Sequence, residues 1–352
     1  MVSPNNICND SVSLPEKIDT YLQAHLNNSH FMGSVLVSRG AEVLLSQGYG
    51  MANLEHNVSN TPSTKFRLAS VTKQFTATAI LKLQEQNLLD VNDPLSTYLP
   101  EYPNGEQITV HQLLNHTSGI PNYTDFEDYE SKKRTAMKLD ELVAWFKDRP
   151  LDFTPGDRFN YSNSGYAVLT KIIETVTNLS YADYLQQHIF APLEMNDSGY
   201  DRAETVLPDR ASGYLFTGES YLNADFLDMS LASGAGGLYS TVEDLDKWSR
   251  SLDTDTILAQ ASRDAMFAPT VKVPNDDNKE IYYGYGIRID TEHNRDCIVH
   301  HGVINGFLTN FARYPNERVT IVVLSNLQTA SISKIERDLA AIVFGEAYEL
   351  PK

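Results

Sequence analysis

Phe66-Arg67-Leu68-Ala69-Ser70-Val71-Thr72-Lys73-Gln74-Phe75 runs on into Thr76-Ala77-Thr78-Ala79-Ile80-Leu81-Lys82-Leu83. After Lys73 the apolar residues Phe75, Ala79, Ile80 and Leu83 recur at helical spacing, and neither Gly nor Pro intervenes before Asp93-Pro94. The pattern predicts a helix from near Ser70 to about Asn87. A serine in its first turn sits where free backbone N–H groups and the positive end of the helix dipole favour an anionic oxygen. Lys73, three residues on, shares that face and can bring its amine to the Ser70 hydroxyl. Burial lowers the pKa of an amine, which can then accept the serine's proton. These four residues predict an activated nucleophile, Ser70, beside its base, Lys73.

An S-x-x-K spacing is a short pattern, and the chain contains a second copy, Ser331-Ile332-Ser333-Lys334. That copy opens an amphipathic C-terminal helix (Ile332, Ile335, Leu339, Ile342, Val343), where Ser331 reads as an N-cap. The motif therefore requires partners elsewhere in the chain before it carries chemistry.

Working outward, Leu14 to Leu26 has helical spacing. Gly33-Ser-Val-Leu-Val-Ser and Glu42-Val-Leu-Leu-Ser-Gln-Gly-Tyr-Gly read as two strands joined by a tight Arg39-Gly40 turn. Residues 51–69 read as loop, and Leu95 to about Leu215 as mostly helical with long connections. The Gly-rich stretch Ala232-Ser-Gly-Ala-Gly-Gly-Leu-Tyr-Ser-Thr precedes a helix from Val242 to Leu252. From Ile281 the texture turns to strands again: Tyr282 to Ile289, Cys297 to His301, Phe307 to Tyr314 and Arg318 to Asn326. Strands at both ends with helices between predict an α/β fold of the α+β type. One antiparallel sheet is built from both termini and flanked by helices, and a mainly helical lobe is inserted into it. The expected organisation is a polar leader over 1–13, an α/β lobe from 14–90 and 220–350, a helical lobe over 91–219, and a site in the cleft between the lobes.

Composition bounds the partners. With 28 Lys+Arg against 46 Asp+Glu the formal net charge is −18, which argues against nucleic acid and anionic membrane surfaces. No apolar run reaches the roughly 18 residues of a membrane helix. The N-terminus has neither a basic n-region nor an apolar h-region, so the protein either stays in the cytoplasm or has had an export signal removed. The two cysteines, Cys8 and Cys297, form no metal-ligand cluster and no disulfide framework. Cys8 reads as a free thiol in a polar leader.

Two further stretches look unlike structural filler. Phe153-Thr-Pro-Gly-Asp-Arg-Phe-Asn-Tyr161-Ser162-Asn163-Ser164-Gly165 takes a Pro-Gly turn into a loop that caps the next helix. Tyr161 there is either a buried ring or a proton relay, and Asn163 either a structural residue or a polar anchor. His300-His301-Gly302-Val303-Ile304-Asn305-Gly306 carries a glycine within a strand, which often marks the close approach of a ligand or a second backbone. A metal is not expected at the His pair. Adjacent strand residues point to opposite faces, no third ligand stands at a zinc-site spacing, and no H-E-x-x-H occurs. His111 and His116, in His111-Gln-Leu-Leu-Asn-His-Thr-Ser-Gly, read as structural. No G-x-S-x-G elbow is present.

Ser70-x-x-Lys73, Tyr161-x-Asn163 and His300-x-Gly302 together resemble, in order and rough spacing, the serine β-lactamase/penicillin-binding protein family. Within it the chain looks like the branch of class C β-lactamases, DD-peptidases, D-aminopeptidases and family VIII esterases. Leu88-Leu-Asp-Val-Asn-Asp-Pro-Leu, Leu113 to Pro121, Ile189-Phe-Ala-Pro-Leu-Glu-Met and Ser240-Thr-Val-Glu-Asp-Leu extend the resemblance over about residues 15–345. It implies a hydrolase without cofactor, acting on a small-molecule or short-peptide substrate. Ser70 would form an acyl-enzyme, with Lys73 and Tyr161 sharing the proton work. Asn163 would hold the substrate amide and Lys73. His300 would contribute a donor and tune the phenol, and Gly302 would let the strand lie close to the substrate. The backbone N–H groups of Ser70 and Val303 would form the oxyanion hole, worth about 2.7–4 kcal/mol per donor. His301 stands where relatives usually carry Thr, Ser or Gly, and this departure weakens the case for recognising a substrate carboxylate. The implied function is hydrolysis of a D-amino acid peptide, amide or ester. The alternatives are a class C-like β-lactamase, and a penicillin-binding sensor or non-catalytic scaffold. Oligomeric state is not legible.

Overall fold

The computed structural model describes residues 12–275 and 279–351. Most of the expected leader, with Cys8, lies outside the described residues. Helix α1 (Leu14–Asn27) starts where the Glu16 carboxylate accepts the Ser13 backbone N–H at 2.9 Å, with Pro15 in its first turn. Strands β1 (Gly33–Arg39) and β2 (Glu42–Tyr49) follow, then α2 (Thr72–Glu85), α3 (Asn163–Thr177), the short α4 (Ser233–Gly236) and α5 (Val242–Ser251). The C-terminal strands are β3 (Val271–Lys272), β4 (Tyr282–Tyr283), β5 (Arg288–Glu292), β6 (Arg295–Ile304), β7 (Phe307–Tyr314) and β8 (Val319–Ser325), closed by α6 (Ile332–Phe344).

These strands make one eight-stranded sheet in the order β3-β4-β5-β6-β7-β8-β1-β2, antiparallel at every pairing. The chain's two ends meet at β1–β8, where Gly33 lies opposite Ser325 and Arg39 opposite Val319. The period of two sorts side chains into separate cores. Leu36, Phe311, Val322 and Leu324 join the core with α2, α3 and α5, whereas Val35, Val37, Ala312, Tyr314, Ile321 and Val323 pack with α1 and α6. Because both faces are covered, β1 and β8 are buried almost throughout.

The expected antiparallel sheet flanked by helices is the observed fold. Three local readings change. Between residues 95 and 215 the regular helices are Val110–Leu114, Tyr129–Lys132, Leu139–Phe146, α3 and Tyr181–Leu185, separated by long irregular runs that hold Pro100, Pro103, Pro121, Pro150 and Pro155. Within the supposed loop 51–69, Phe66–Arg67 pairs with Leu238–Ser240, which also pairs with Gly199–Tyr200. Two- and three-residue strands are too short to show a period. The run from Tyr282 to Ile289 is not one strand: it turns at Gly286, whose φ is +71°. A Cβ at Gly286 would lie 2.5 Å from the Lys73 carbonyl oxygen, so this turn seats the β4–β5 connection on the start of α2.

Candidate active site

Ser70 does not lie in the first turn of α2 itself. It occupies a single 3-10 turn, Ala69–Val71, that leads into the helix at Thr72. Ala69 takes φ +48°, a left-handed conformation uncommon for a residue with a Cβ. Two contacts to the small sheet pin the turn: the Leu68 N–H donates to the Leu238 carbonyl at 2.8 Å, and the Leu238 N–H donates to Thr72 Oγ1 at 3.2 Å. Every α2 residue from Thr72 to Leu81 is buried. Thr76 Oγ1 among them donates to the Gly234 carbonyl at 2.7 Å, and Gln74 Oε1 accepts the Trp248 Nε1–H at 3.1 Å.

Lys73 is wholly buried, and its surroundings define its state. Its Nζ lies 2.8 Å from Asn163 Oδ1, 2.8 Å from the Ala235 carbonyl oxygen and 3.2 Å from Ser70 Oγ. Two of these neighbours are carbonyl oxygens, which only accept. A neutral amine has two N–H bonds and one lone pair, so both N–H groups are taken by the carbonyls and the lone pair is left for the Ser70 hydroxyl. Burial holds the amine well below the ordinary lysine range, which favours that state. No carboxylate is among its hydrogen-bond partners.

The supports come from three other segments. Asn163 opens α3; its N–H donates to Asn122 Oδ1 at 3.0 Å and its Nδ2 to Thr124 Oγ1 at 3.3 Å, which aims Oδ1 at Lys73. Ser162 caps the same helix, accepting the Gly165 N–H at 3.4 Å. Tyr161 lies beneath the amine, with Nζ 4.7 Å from its ring centroid. Burial raises its phenol above the ordinary tyrosine range, while the Ser70 hydroxyl and Arg288 oppose the rise. The Gly-rich stretch supplies Ala235 from α4. A Cβ on Gly234 would come within 2.2 Å of Thr170 Oγ1, so α4 approaches α2 and α3 this closely only with glycine there.

Strand β6 closes the fourth side. Its pairing with β5 ends at Val299, so residues 300–304 offer a free edge towards the Ser70 turn. At Gly302 a Cβ would fall 2.3 Å from the Leu68 carbonyl oxygen and 3.2 Å from the Ser70 nitrogen. Val303 lines a cavity of about 210 Å³ together with Ser70, Asn163, Tyr123, Tyr129 and Asn305. A larger cavity, of about 320 Å³, opens among Arg250, Arg313 and Arg318 and contains none of the expected site residues.

Two expectations need correction. His301 is not brought to the cavity: side chains alternate along β6, Gly302 faces the Ser70 turn, and the charges nearest the His301 ring are Arg288, Arg337 and Asp290. Burial pushes its pKa down to about 4. His300 does face the Lys73 side, but it has no donor to spare. Its Nδ1 lies 2.8 Å from the His301 carbonyl oxygen and its Nε2 2.9 Å from Tyr283 Oη. His116, expected to be structural filler, reaches the same cluster, 3.2 Å from Tyr283 Oη. Nothing in its local sequence signals this, because Tyr283 joins it only through the fold.

A buried, carboxylate-free amine against a serine, in a cleft between sheet and helices, defines a serine-hydrolase-like protein. The chain belongs to the beta-lactamase family, whose model matches residues 18–343. It is 30% identical over 342 residues to penicillin-binding protein 4* of Bacillus subtilis (strain 168), covering 92% of this chain and 74% of the relative. The octameric penicillin-binding protein homologue from Pyrococcus abyssi superimposes with a TM-score of 0.82 at 28% identity, covering 94% of this chain and 77% of that one. D-amino acid amidase from Ochrobactrum anthropi SV3, complexed with D-phenylalanine, shares the fold at a TM-score of 0.84 and 23% identity, over 94% and 99% of the two chains.

Proposed function

We propose that the protein hydrolyses an ester or amide of a D-amino acid through an acyl-enzyme on Ser70. The observation that carries this reading is the buried Lys73 amine 3.2 Å from Ser70 Oγ with two carbonyl oxygens as its other partners; in the neutral amine these take both N–H groups and the lone pair is left for the Ser70 hydroxyl. In acylation Ser70 Oγ passes its proton to Lys73 Nζ and bonds to the substrate carbonyl carbon. The backbone N–H groups of Ser70 and Val303 stabilise the oxyanion. The tetrahedral adduct then collapses, breaking the bond to the leaving nitrogen or oxygen, which takes the proton from Lys73 by way of the Tyr161 phenol. Water gives up a proton to the same pair and attacks the acyl-Ser70 carbonyl carbon; collapse of this second adduct breaks the bond to Ser70 Oγ, which takes that proton back, and releases the acid. Asn163 holds Lys73 and faces the cavity, and Gly302 brings the strand edge alongside the acyl group.

The cavity lining supports a substrate without a carboxylate beside the scissile bond. It combines Tyr123, Tyr129, Leu227 and Ile304 with Ser70, Thr124, Asn163 and Asn305, and has no Lys, Arg or His side chain among the described residues. A carboxylate beside the scissile bond, as in a penicillin, would find no cation there, which favours ester and amide substrates over β-lactams. The names of the penicillin-binding and D-amino acid amidase relatives are consistent with this substrate class.

The test is intact-protein mass spectrometry after exposure to a fluorescent penicillin, run beside turnover of p-nitrophenyl esters, D-aminoacyl p-nitroanilides and a chromogenic cephalosporin. Cleavage of an ester or D-amide, abolished in Ser70→Ala, is the expected result. Rapid cephalosporin turnover would instead make the protein a β-lactamase. A stable penicillin adduct without turnover would make it a sensor. Full activity in Ser70→Ala would end the acyl-enzyme reading.

A further inference from the structure

Behind the third motif three buried side chains form a line that crosses from the helical side to the sheet: His116, Tyr283 and His300, exposed by 1%, 0% and 2%. Its two ends are fixed by backbone groups with only one possible role each. At one end the Ser162 N–H points at His116 Nδ1 from 3.1 Å, and a backbone N–H can only donate. At the other, the His301 carbonyl oxygen lies 2.8 Å from His300 Nδ1, and a carbonyl can only accept. His116 therefore carries its proton on Nε2 and donates it to Tyr283 Oη at 3.2 Å, and Tyr283 in turn donates its O–H to His300 Nε2 at 2.9 Å. One arrangement of protons satisfies every group.

We propose that His116 and Tyr283 are positioning residues that hold His300 in a single neutral tautomer, so that the third motif meets the Ser70–Lys73 pair without a charge of its own. This consequence for catalysis rests on the function proposed above. A second proton on His116 would bring Nδ1–H against the Ser162 N–H. A second proton on His300 would displace the Tyr283 O–H from its acceptor in a site that water does not reach. The basic groups that face the line are the Lys73 amine from α2 and the Arg288 guanidinium from β5; its titratable neighbours are Tyr161 just before α3, Tyr166 within it and His301 on β6. Burial first, and then those basic groups, press both imidazoles towards the neutral form. His116 itself is held at φ +63° while its carbonyl accepts the Asn160 N–H at 2.9 Å, a left-handed conformation kept by its surroundings. With His300 uncharged, no cation from the third motif stabilises a phenolate, and Tyr161 stays a phenol able to hand a proton to a leaving group.

The direct measurement is ¹⁵N NMR of the imidazoles in the full chain from pH 8 to 5, with resonances assigned through His116→Gln and His300→Gln. Expected are neutral rings throughout, protonated at Nε2 in His116 and at Nδ1 in His300. A doubly protonated ring at pH 6, or the opposite tautomer at either position, would overturn the proposal whether or not any substrate is found. The kinetic arm uses Tyr283→Phe. Neutral His300 loses the hydrogen bond that favours it, so its pKa rises, and the acid limb of kcat/KM that His300 sets, separate from the Lys73 limb, moves up by about one pH unit. His116→Gln, whose amide can accept from Ser162 and donate to Tyr283, keeps the limb in place, whereas His116→Ala moves it. A uniform loss across pH with an unmoved limb would make Tyr283 a packing residue and refute the positioning role. If Tyr283→Phe does not fold, the tautomers in the unaltered protein decide the matter.

Discussion

The base role proposed for Lys73 depends on its having no carboxylate among its hydrogen-bond partners. An ordinary lysine keeps its proton to about pH 10.4, but this one has exchanged water for two carbonyl oxygens and a serine hydroxyl, and burial lowers its pKa accordingly. Only the deprotonated form has a lone pair for Ser70. As pH falls through the lowered pKa the amine gains a proton and the base is lost, so kcat/KM declines on the acid side, well below the ordinary lysine range. A pH–rate profile with its acid limb near pH 10 would show the amine to be an ordinary cation and exclude it as the base. Lys73→Ala should reduce kcat/KM by about 10²–10⁴, the usual worth of a positioned base, with Ser70 acylation by an ester followed by stopped flow. Ser70 and Lys73 were legible because a spacing of three residues carries their relation from the 3-10 turn into the start of α2. His116 was not legible: 184 positions separate it from His300, and only the sheet brings Tyr283 between them.

At the scale of elements, the site depends on how closely strands and helix starts approach one another. Gly302 is a close approach, with the Leu68 carbonyl 2.3 Å from where a Cβ would stand and Ala69 Cβ at 3.0 Å. The nearest obstructing atom is backbone, so Gly302→Ala has to move β6 away from the Ser70 turn. The expected outcome is a fall in kcat of at least about tenfold with KM less affected, since an oxyanion donor displaced by a few tenths of an ångström acts chiefly on the transition state. The circular dichroism spectrum should stay that of the parent, because the β6–β7 ladder from Ile298 to Ile304 is not disturbed. Unchanged kcat would mean that this approach is incidental. The glycine in the third motif was readable as a close approach, whereas the role of the Gly-rich segment was not. Ala235 matters through its carbonyl, and a backbone acceptor leaves no trace in residue type. The small sheet around Leu238–Ser240 was missed for the related reason that a pairing of two or three residues has no periodicity.

The whole molecule is a sheet with a core on each face, and the division of labour between them follows the period of two. The face carrying Leu36, Phe311 and Val322 supports the site, whereas the α1–α6 face closes the fold by joining the first helix to the last. The antiparallel sheet was legible because long apolar strands lie at both ends of the chain; the middle was less so, because prolines and short turns break its helical texture. A carboxylate on the α1–α6 face is at odds with its surroundings. Glu336 of α6 is buried with Tyr314 donating to its Oε1 at 2.9 Å, and burial pushes its carboxyl up to about 7 despite that hydrogen bond and the nearby Arg337 and His293; Glu292 adds to the rise. Between about pH 4.5 and 7 the folded protein keeps this proton while the unfolded chain has released it. The native state then binds more protons than the unfolded state, so stability falls as pH rises through that window and is level above it. The term is on the order of 3 kcal/mol at most. Glu336→Gln keeps the volume and an acceptor for Tyr314 but cannot ionise. It should therefore raise the melting temperature by a few degrees at pH 8 and change it little at pH 4.5, as followed by calorimetry. An equal shift at both pH values would trace the effect to packing instead of charge. Because Glu336 lies across the sheet from Lys73, ester turnover at pH 8 and moderate temperature should not follow the change in stability, which separates this titration from the one that governs the base.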